Sequence, residues 1–381
     1  MKVLAVDHNA LDPTNLSFYN ELSRQPDIQL RLVIPDHWYD NYAMLRSDGI
    51  QGTSRYKIIP SRMLFANRTH RLIYLSLDEQ LRYFEPDILF MNSEPENFQT
   101  VQGALLLTLQ HYPAKLVFTS WRNIDHSVVG YPYKFQFLNT LAEKIVLDSA
   151  AHGIMFNEDA KQIFNRNGFP GTTVIPPCVD TSIFKKNASP KSIPGTGNSY
   201  TIGYVGRLTP EKGIDTLLEA VSGLSFDYRV IIIGEGSVKS VLQQQAAKLQ
   251  ISDHIVWLPP QPRVEIPSYL SVMDTVVLPS KTGKYWKEQF GRILIEAMAC
   301  DTAVIGSDSG EIPNVIAEAG LIFPEGNAGV LKDHITALHD DVDMKFSLIS
   351  KGKWRVNEYY SQKNVAARYG ELFTQLMKTK K

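Results

Sequence analysis

Cysteine is nearly absent: the 381 residues hold two, Cys178 and Cys300, far apart and without metal-ligand spacing. That excludes a disulfide-stapled secreted scaffold and a zinc ribbon, and both thiols read as small buried side chains in a reducing compartment. An excess of either charge is also missing. A formal net charge of −1 supplies no whole-chain attraction to nucleic acid or membrane. No apolar run approaches the roughly 20 residues a bilayer-spanning helix needs. The opening MKVLAVDHN has only a short apolar stretch before Asp7, which suits a first strand better than a signal peptide. The expectation is a cytoplasmic protein, either free or peripheral at the inner membrane face. No G-x-S-x-G or P-loop occurs, and no His, Cys or carboxylate cluster has metal-ligand spacing. Asp341-Val342-Asp343 has the form of a diphosphate-metal motif, but it follows a helical run and reads as a solvated turn.

What remains is an ordinary soluble composition, 21% charged and 44% hydrophobic, in a chain long enough for two domains. Short β-type runs at 3–6, 28–34, 88–91, 116–119, 154–156 and 173–175 alternate with helical patterns at 72–84, 98–111 and 135–151. Such alternation predicts a parallel sheet covered by helices. The Pro-, Gly- and Ser-bearing stretch 185–199 reads as a linker. The pattern then restarts, with strands expected at 201–205, 229–233, 255–258, 275–278, 303–305 and 321–323. Helices are expected at 211–221, 238–249 and 290–299, and an amphipathic helix closes the chain. The reading is α/β, with two doubly wound Rossmann-like domains facing each other across a cleft. Their boundaries are 1–188 and 189–360, with a C-terminal helix, 361–381, packing back toward the first. Open sheets of this kind bind ligands at the carboxyl ends of their strands.

Four stretches could carry chemistry there. Gly203 to Gly213, GYVGRLTPEKG, follows a strand and opens a helix. Gly206 allows a tight turn, and Arg207 and Lys212 would flank the place where a diphosphate needs positive charge; a surface ion pair and a solvated first-turn lysine are the plain alternatives. Gly234-Glu235-Gly236 begins a dinucleotide fingerprint whose third glycine is replaced by Lys239, so a tight turn accounts for it as well. Glu288 and Glu296 lie eight residues apart, with Phe290, Gly291, Arg292 and Ile293 between them. Glu288 is expected at a helix entrance and Glu296 inside the helix, where Arg292 is its local candidate partner. Eight helical residues advance about 80° beyond two full turns, so the two acids would reach different parts of one extended ligand. Finally, residues 49–77 carry no acid but include Arg55, Lys57, Arg62, Arg68, His70 and Arg71 among aromatic and aliphatic side chains. This stretch reads either as a solvated basic face or as a patch for an anionic lipid carrier or membrane surface. Of nine histidines, His8 and His126 follow the first and fourth strands, on the side where a cleft would lie.

In this order and spacing, GYVGRLTPEKG, LPS at 278–280, EQFGRILIEAMAC at 288–300, SDSGEIPNVI at 307–316 and GLIFPEGN at 320–327 resemble the family-four (group 1) retaining glycosyltransferases, which have the GT-B architecture. The resemblance is specific from 203 to 327 and only general in the first half. It implies transfer of a sugar from a nucleotide-diphosphate donor, with no metal and no further cofactor required, to a glycan, lipid-linked or other hydroxyl acceptor. By this resemblance Arg207 and Lys212 hold the diphosphate, Glu296 takes the ribose hydroxyls and Glu288 the donor sugar. The backbone of Phe290 to Ile293 would approach sugar and phosphate, Gly206 and Gly234 would lie close to the donor, and Pro259 and Pro260 would meet the base. Three departures stand out. Asp7-His8-Asn9-Ala10 replaces a glycine loop, Asp301 replaces a glycine at a helix end, and Ser120-Trp121-Arg122-Asn123 replaces a segment with a sugar-binding histidine. Arg122 and Asn123 are the candidates to take that histidine's catalytic place. A nucleotide-sugar epimerase and a catalytically silent sugar-binding scaffold are the rival readings, and a nicotinamide-dependent dehydrogenase fits less well for want of the third glycine.

Overall fold

The computed structural model describes residues 1–39, 44–66, 68–130, 136–187, 191–193 and 199–379. The stretch read as a linker lies partly outside them, at 188–190 and 194–198. Two compact units divide the chain, Met1–Asp180 with Gln362–Lys381, and Thr181–Ser361.

The first unit is built on strands β1 (Lys2–Val6), β2 (Gln29–Pro35), β3 (Tyr56–Ser61), β4 (Ile88–Met91), β5 (Lys115–Ser120), β6 (Ala150–Met155) and β7 (Thr172–Val174). They form a seven-stranded sheet in the order β7-β6-β5-β4-β1-β2-β3, parallel throughout. Both faces are covered, so the inner strands are apolar at successive positions: Val3, Leu4 and Ala5 are all fully buried. Chain order reverses between β1 and β4, whose carboxyl ends lead into Asp7-His8-Asn9 and into 92–97. Helix Gln362–Lys378 lies on this unit, with Tyr369 packed edge-on to both Phe90 and Phe373, and Phe373 tilted against Phe90. The Lys115 ammonium meets the Leu376 carbonyl in its last turn and the Thr379 carbonyl just past its end, where a cation complements the helix dipole.

The second unit holds β8 (Tyr200–Val205), β9 (Tyr228–Ile233), β10 (Ile255–Leu258), β11 (Thr275–Leu278), β12 (Ala303–Ser307) and β13 (Leu321–Phe323). These six parallel strands run β10-β9-β8-β11-β12-β13, so the order reverses between β8 and β11. At such a reversal the helices leave to opposite faces and a crevice opens above the strand ends.

Several local expectations are corrected. Edge strand β3 was not expected, because Lys57 and Pro60 break its apolar pattern; charge and proline are what blunt a sheet edge. The helix expected from Leu72 begins at Leu77, since Ile73–Tyr74 pairs antiparallel with Met63–Leu64. The helix expected from Phe290 begins at Arg292. Asp341 is not in a free turn: its carboxylate caps helix Val342–Arg355 by accepting from the Met344 N–H at 2.8 Å. Asp301 takes the left-handed conformation, φ 57°, that glycine would accept more easily, and its carboxylate pairs with Lys353 at 3.0 Å.

Candidate functional site

At the carboxyl edge of the second sheet, the loops after β8 and β9 lock together. Gly206 N–H donates to the Ile233 carbonyl at 3.0 Å and Leu208 N–H to Glu235 at 2.8 Å. Gly234 has φ 152°, and a Cβ there would stand 1.9 Å from the Gly206 carbonyl oxygen. Only glycine lets the two loops approach this closely. Burial first, and the Glu288 charge second, push the Tyr204 phenol well above its ordinary pKa. It stays a neutral donor, held 2.7 Å from the Arg207 carbonyl. The Arg207 side chain is 57% exposed and makes one long pair, 3.7 Å, with Glu211. Its charge faces water.

Lys212 ends the short turn Pro210–Lys212 and points back over the strand ends. Its ammonium lies 2.6 Å from the Glu288 carboxylate and 4.7 Å from the centre of the Trp286 ring. Ser280, just past β11, donates its hydroxyl to the same Glu288 oxygen at 2.7 Å. The Lys212–Glu288 pair therefore bridges the loops that leave β8 and β11, across the reversal of strand order. Glu288 is buried and lies in the loop ahead of the helix rather than at its entrance. Gly291, φ 85°, turns the chain from that loop into helix Arg292–Ala299. A Cβ there would meet a Leu278 methyl at 2.7 Å. Phe290 is buried against Tyr360 at 5.7 Å, and Ile293 is buried in the helix's first turn beside Arg292, which is half-buried. The first turn of the helix lies in sequence between the two acids, and its Leu294 N–H is taken by the Gly291 carbonyl at 2.9 Å.

Glu296 is buried in this helix, and its cation is not Arg292. The Arg263 guanidinium, from the loop after β10, reaches Glu296 Oε1 at 2.5 Å. Pro259 and Pro260 lie in that same loop, where the Gln261 amide donates to the Pro259 carbonyl at 2.9 Å. Of the residues expected from sequence, Lys212 and Glu288 touch directly. Gly206, Arg207 and Gly234 adjoin them on one edge, and Glu296 stands one helix turn past Gly291 to Ile293. Arg263, Ser280 and Trp286 were missed. Arg263 is 33 residues from its partner and carries no local signature.

Arg122 and Asn123 are placed differently. The Arg122 side chain is 3% exposed, paired to Glu96 at 2.8 Å and Glu143 at 2.5 Å, with the Phe164 ring 4.8 Å from its guanidinium. The Arg122 charge is thus engaged by the buried Glu96 and the half-buried Glu143. Asn123 is buried next to it in the chain, after β5. Asp7, with its carboxylate accepting from Tyr19 and Asn92 at 2.8 Å each, caps the turn His8–Leu11 that stands in place of a glycine loop.

Near Arg122, burial first and the neighbouring Glu96 second raise the Glu94 carboxyl to about 7, against the pull of Arg122, the Ser120 hydroxyl and the Trp121 N–H. In the folded chain Glu94 stays protonated at pH values where the unfolded chain has ionised. Stability from this group is therefore present below about pH 4.5 and lost as pH rises toward 7. His126, held down to about 4 mainly by burial and then by Arg122, acts oppositely: its contribution is lost as pH falls below 6.5. The expected result is that Glu94→Gln gains stability over wild type between pH 5 and 8, by up to about 2 kcal/mol after discounting for partial contact with water. Urea unfolding of both chains across that range checks it; a constant difference would remove Glu94 as the titrating group.

Residues 185–355 match the family model described as "Glycosyl transferases group 1". D-inositol 3-phosphate glycosyltransferase of Mycobacterium marinum is 30% identical over 192 residues, covering 48% of this chain and 40% of that protein. An uncharacterized glycosyltransferase of Methanocaldococcus jannaschii is 28% identical over 233 residues, 60% of this chain and 59% of the relative. The chain thus spans about half the length of the curated relatives it matches. Among solved structures, sucrose-phosphate synthase from Thermosynechococcus elongatus superposes with a TM-score of 0.73 at 18% identity, covering 99% of both chains. Anabaena HepE in complex with UDP-glucose superposes with a TM-score of 0.72 at 16% identity, covering 98% of this chain and 100% of that one. At such identities the likeness carries the fold, which is GT-B with two Rossmann-like domains.

Proposed function

We propose, from the premise that residues 185–355 are a group 1 glycosyltransferase module on a GT-B fold, that this protein is a retaining glycosyltransferase. It takes its sugar from a nucleotide-diphosphate donor and passes it to a hydroxyl of a glycan or lipid-linked acceptor. The observation that carries this reading is the Lys212–Glu288 pair at the strand-order reversal, with exposed Arg207 on one side and Glu296 on the other. A diphosphate arriving there meets Arg207 and draws Lys212 from Glu288, and each charge-assisted bond contributes about 1.5–3 kcal/mol. Glu288, released, accepts hydrogen bonds from the sugar hydroxyls; Glu296 does the same for the ribose. Arg207 and Lys212 then stabilise the charge growing on the departing nucleotide, so no step requires a metal.

Purified protein incubated with UDP-, GDP- and ADP-sugars is expected to show a rise in Tm and slow donor hydrolysis with one base. Indifference to every donor rejects the reading. Conversion of the donor sugar to its epimer without an acceptor would favour the epimerase instead.

The acceptor side of the proposal includes a membrane contact. Arg55, Lys57, Arg62, Arg68 and Arg71 are exposed, and Leu64, Phe65 and Leu75 stand 47%, 55% and 55% exposed among them. Exposed basic and apolar side chains in one stretch of chain suit an anionic lipid headgroup layer. Among the described residues no helix is long and apolar enough to cross a membrane, so the contact would be peripheral. Co-sedimentation with phosphatidylglycerol-containing vesicles, but not with phosphatidylcholine alone, is the expected outcome; equal recovery with both rules it out.

A further inference from the structure

The acid expected to hold the ribose is itself held by a residue with no assigned role. Arg263 Nη2 meets Glu296 Oε1 at 2.5 Å, and among the described residues Glu296 Oε2 receives no hydrogen bond. The buried carboxylate is therefore gripped on one oxygen and open on the other. The Arg263 guanidinium is backed by the Phe184 ring at 5.7 Å, and its Nε is buried without an acceptor among the described residues. Its backbone begins the short turn Arg263–Glu265, right after Pro262, where Glu265 N–H donates to the Pro262 carbonyl at 2.8 Å. Upstream in the same loop Gln261 is pinned by the Tyr269 hydroxyl at 3.0 Å and by its own bond to Pro259. One ion pair thus ties the loop after β10 to the helix that carries Glu296.

We propose that Arg263 is the positioning residue for ribose recognition: it orients Glu296 toward the ribose hydroxyls and fixes the 259–263 loop beside them. Discrimination between ribonucleotides and their deoxy forms then depends on Arg263, which need not touch the ligand. The inference rests on the nucleotide-sugar reading above. Without Arg263, Glu296 is a buried charge with no cation, free to turn its carboxylate away from the ligand. Lysine can restore the charge but not the planar fork.

The probes are UDP, GDP and ADP, each beside its 2′,3′-dideoxy form, with affinities measured by calorimetry on wild type, Arg263→Met, Arg263→Lys and Glu296→Gln. Wild type is expected to prefer the ribonucleotide by about tenfold or more, the loss of one hydrogen bond to a charged acceptor. In Arg263→Met and in Glu296→Gln that preference collapses to within about twofold, and Arg263→Lys keeps an intermediate ratio. Wild type that ignores the missing hydroxyls, or Arg263→Met with its preference intact, overturns the inference. If Arg263→Met does not fold, the ratio in Arg263→Lys decides: a wild-type value rejects the proposal. Failure of wild type to bind any of the nucleotides rejects the parent reading instead, so the two failures are told apart.

Discussion

On the proposed reading, Lys212→Met is expected to lower turnover of a bound nucleotide-sugar by about 10²–10³-fold while moving donor KM far less, because there its charge would be needed most as the diphosphate departs. The pair it forms with Glu288, at 2.6 Å and with both side chains largely out of water, gives the substitution a second effect. Removing one partner of a buried ion pair leaves the other uncompensated, at a cost of about 3–5 kcal/mol. Ser280 keeps its hydrogen bond to Glu288 and recovers part of that. The two effects separate in Lys212→Met/Glu288→Gln, where the double variant should regain the Tm lost by the single one without regaining turnover. Stopped-assay kinetics and calorimetry on the three chains read both quantities. Single-variant turnover within about threefold of wild type would remove Lys212 from the reaction.

A second large effect is expected at Gly234. Valine there would place its Cβ 1.9 Å from the Gly206 carbonyl oxygen and force a β-branched residue to φ 152°. Neither loop can yield alone, since Gly206 N–H and Leu208 N–H are bonded across to β9 and its following loop. The strand ends must part, at a cost of about 3 kcal/mol or more, equivalent to a fall in Tm of roughly 6–12 °C for a unit of this size. Thermal unfolding followed by circular dichroism measures it. A Tm within about 2 °C of wild type would mean the loops separate freely.

The strands of both sheets were legible because both faces are covered, and a strand buried on two sides leaves an unbroken apolar run such as Val3 to Val6 or Val230 to Ile233. β3 was not, since an edge strand answers to solvent on one side and carries Lys57 and Pro60. In the candidate site, the glycines and charges announced themselves through local spacing. Their partners did not. Glu296 looked toward Arg292, four residues away, whereas the fold supplies Arg263 from another strand's loop. Arg122 likewise meets Glu96 and Glu143, acids from separate elements that no local spacing connects to it. Local pattern reports what a residue is; which side chain it meets is decided by strand order, and strand order is a long-range property.

The same long-range bookkeeping gives the helix Gln362–Lys378 a meaning beyond packing. Its first residue, Gln362, donates its N–H to Val179 at 3.2 Å and its side-chain amide to Asp180 at 3.4 Å. The chain thus leaves the first unit and re-enters it at neighbouring points on a single seam. In topological terms the second unit is a guest inserted into a host, and the host is already closed around the insertion point. A gene that joins codon 180 to codon 362 through a short turn would encode the host as one continuous polypeptide, and that seam is where a different guest could be grafted.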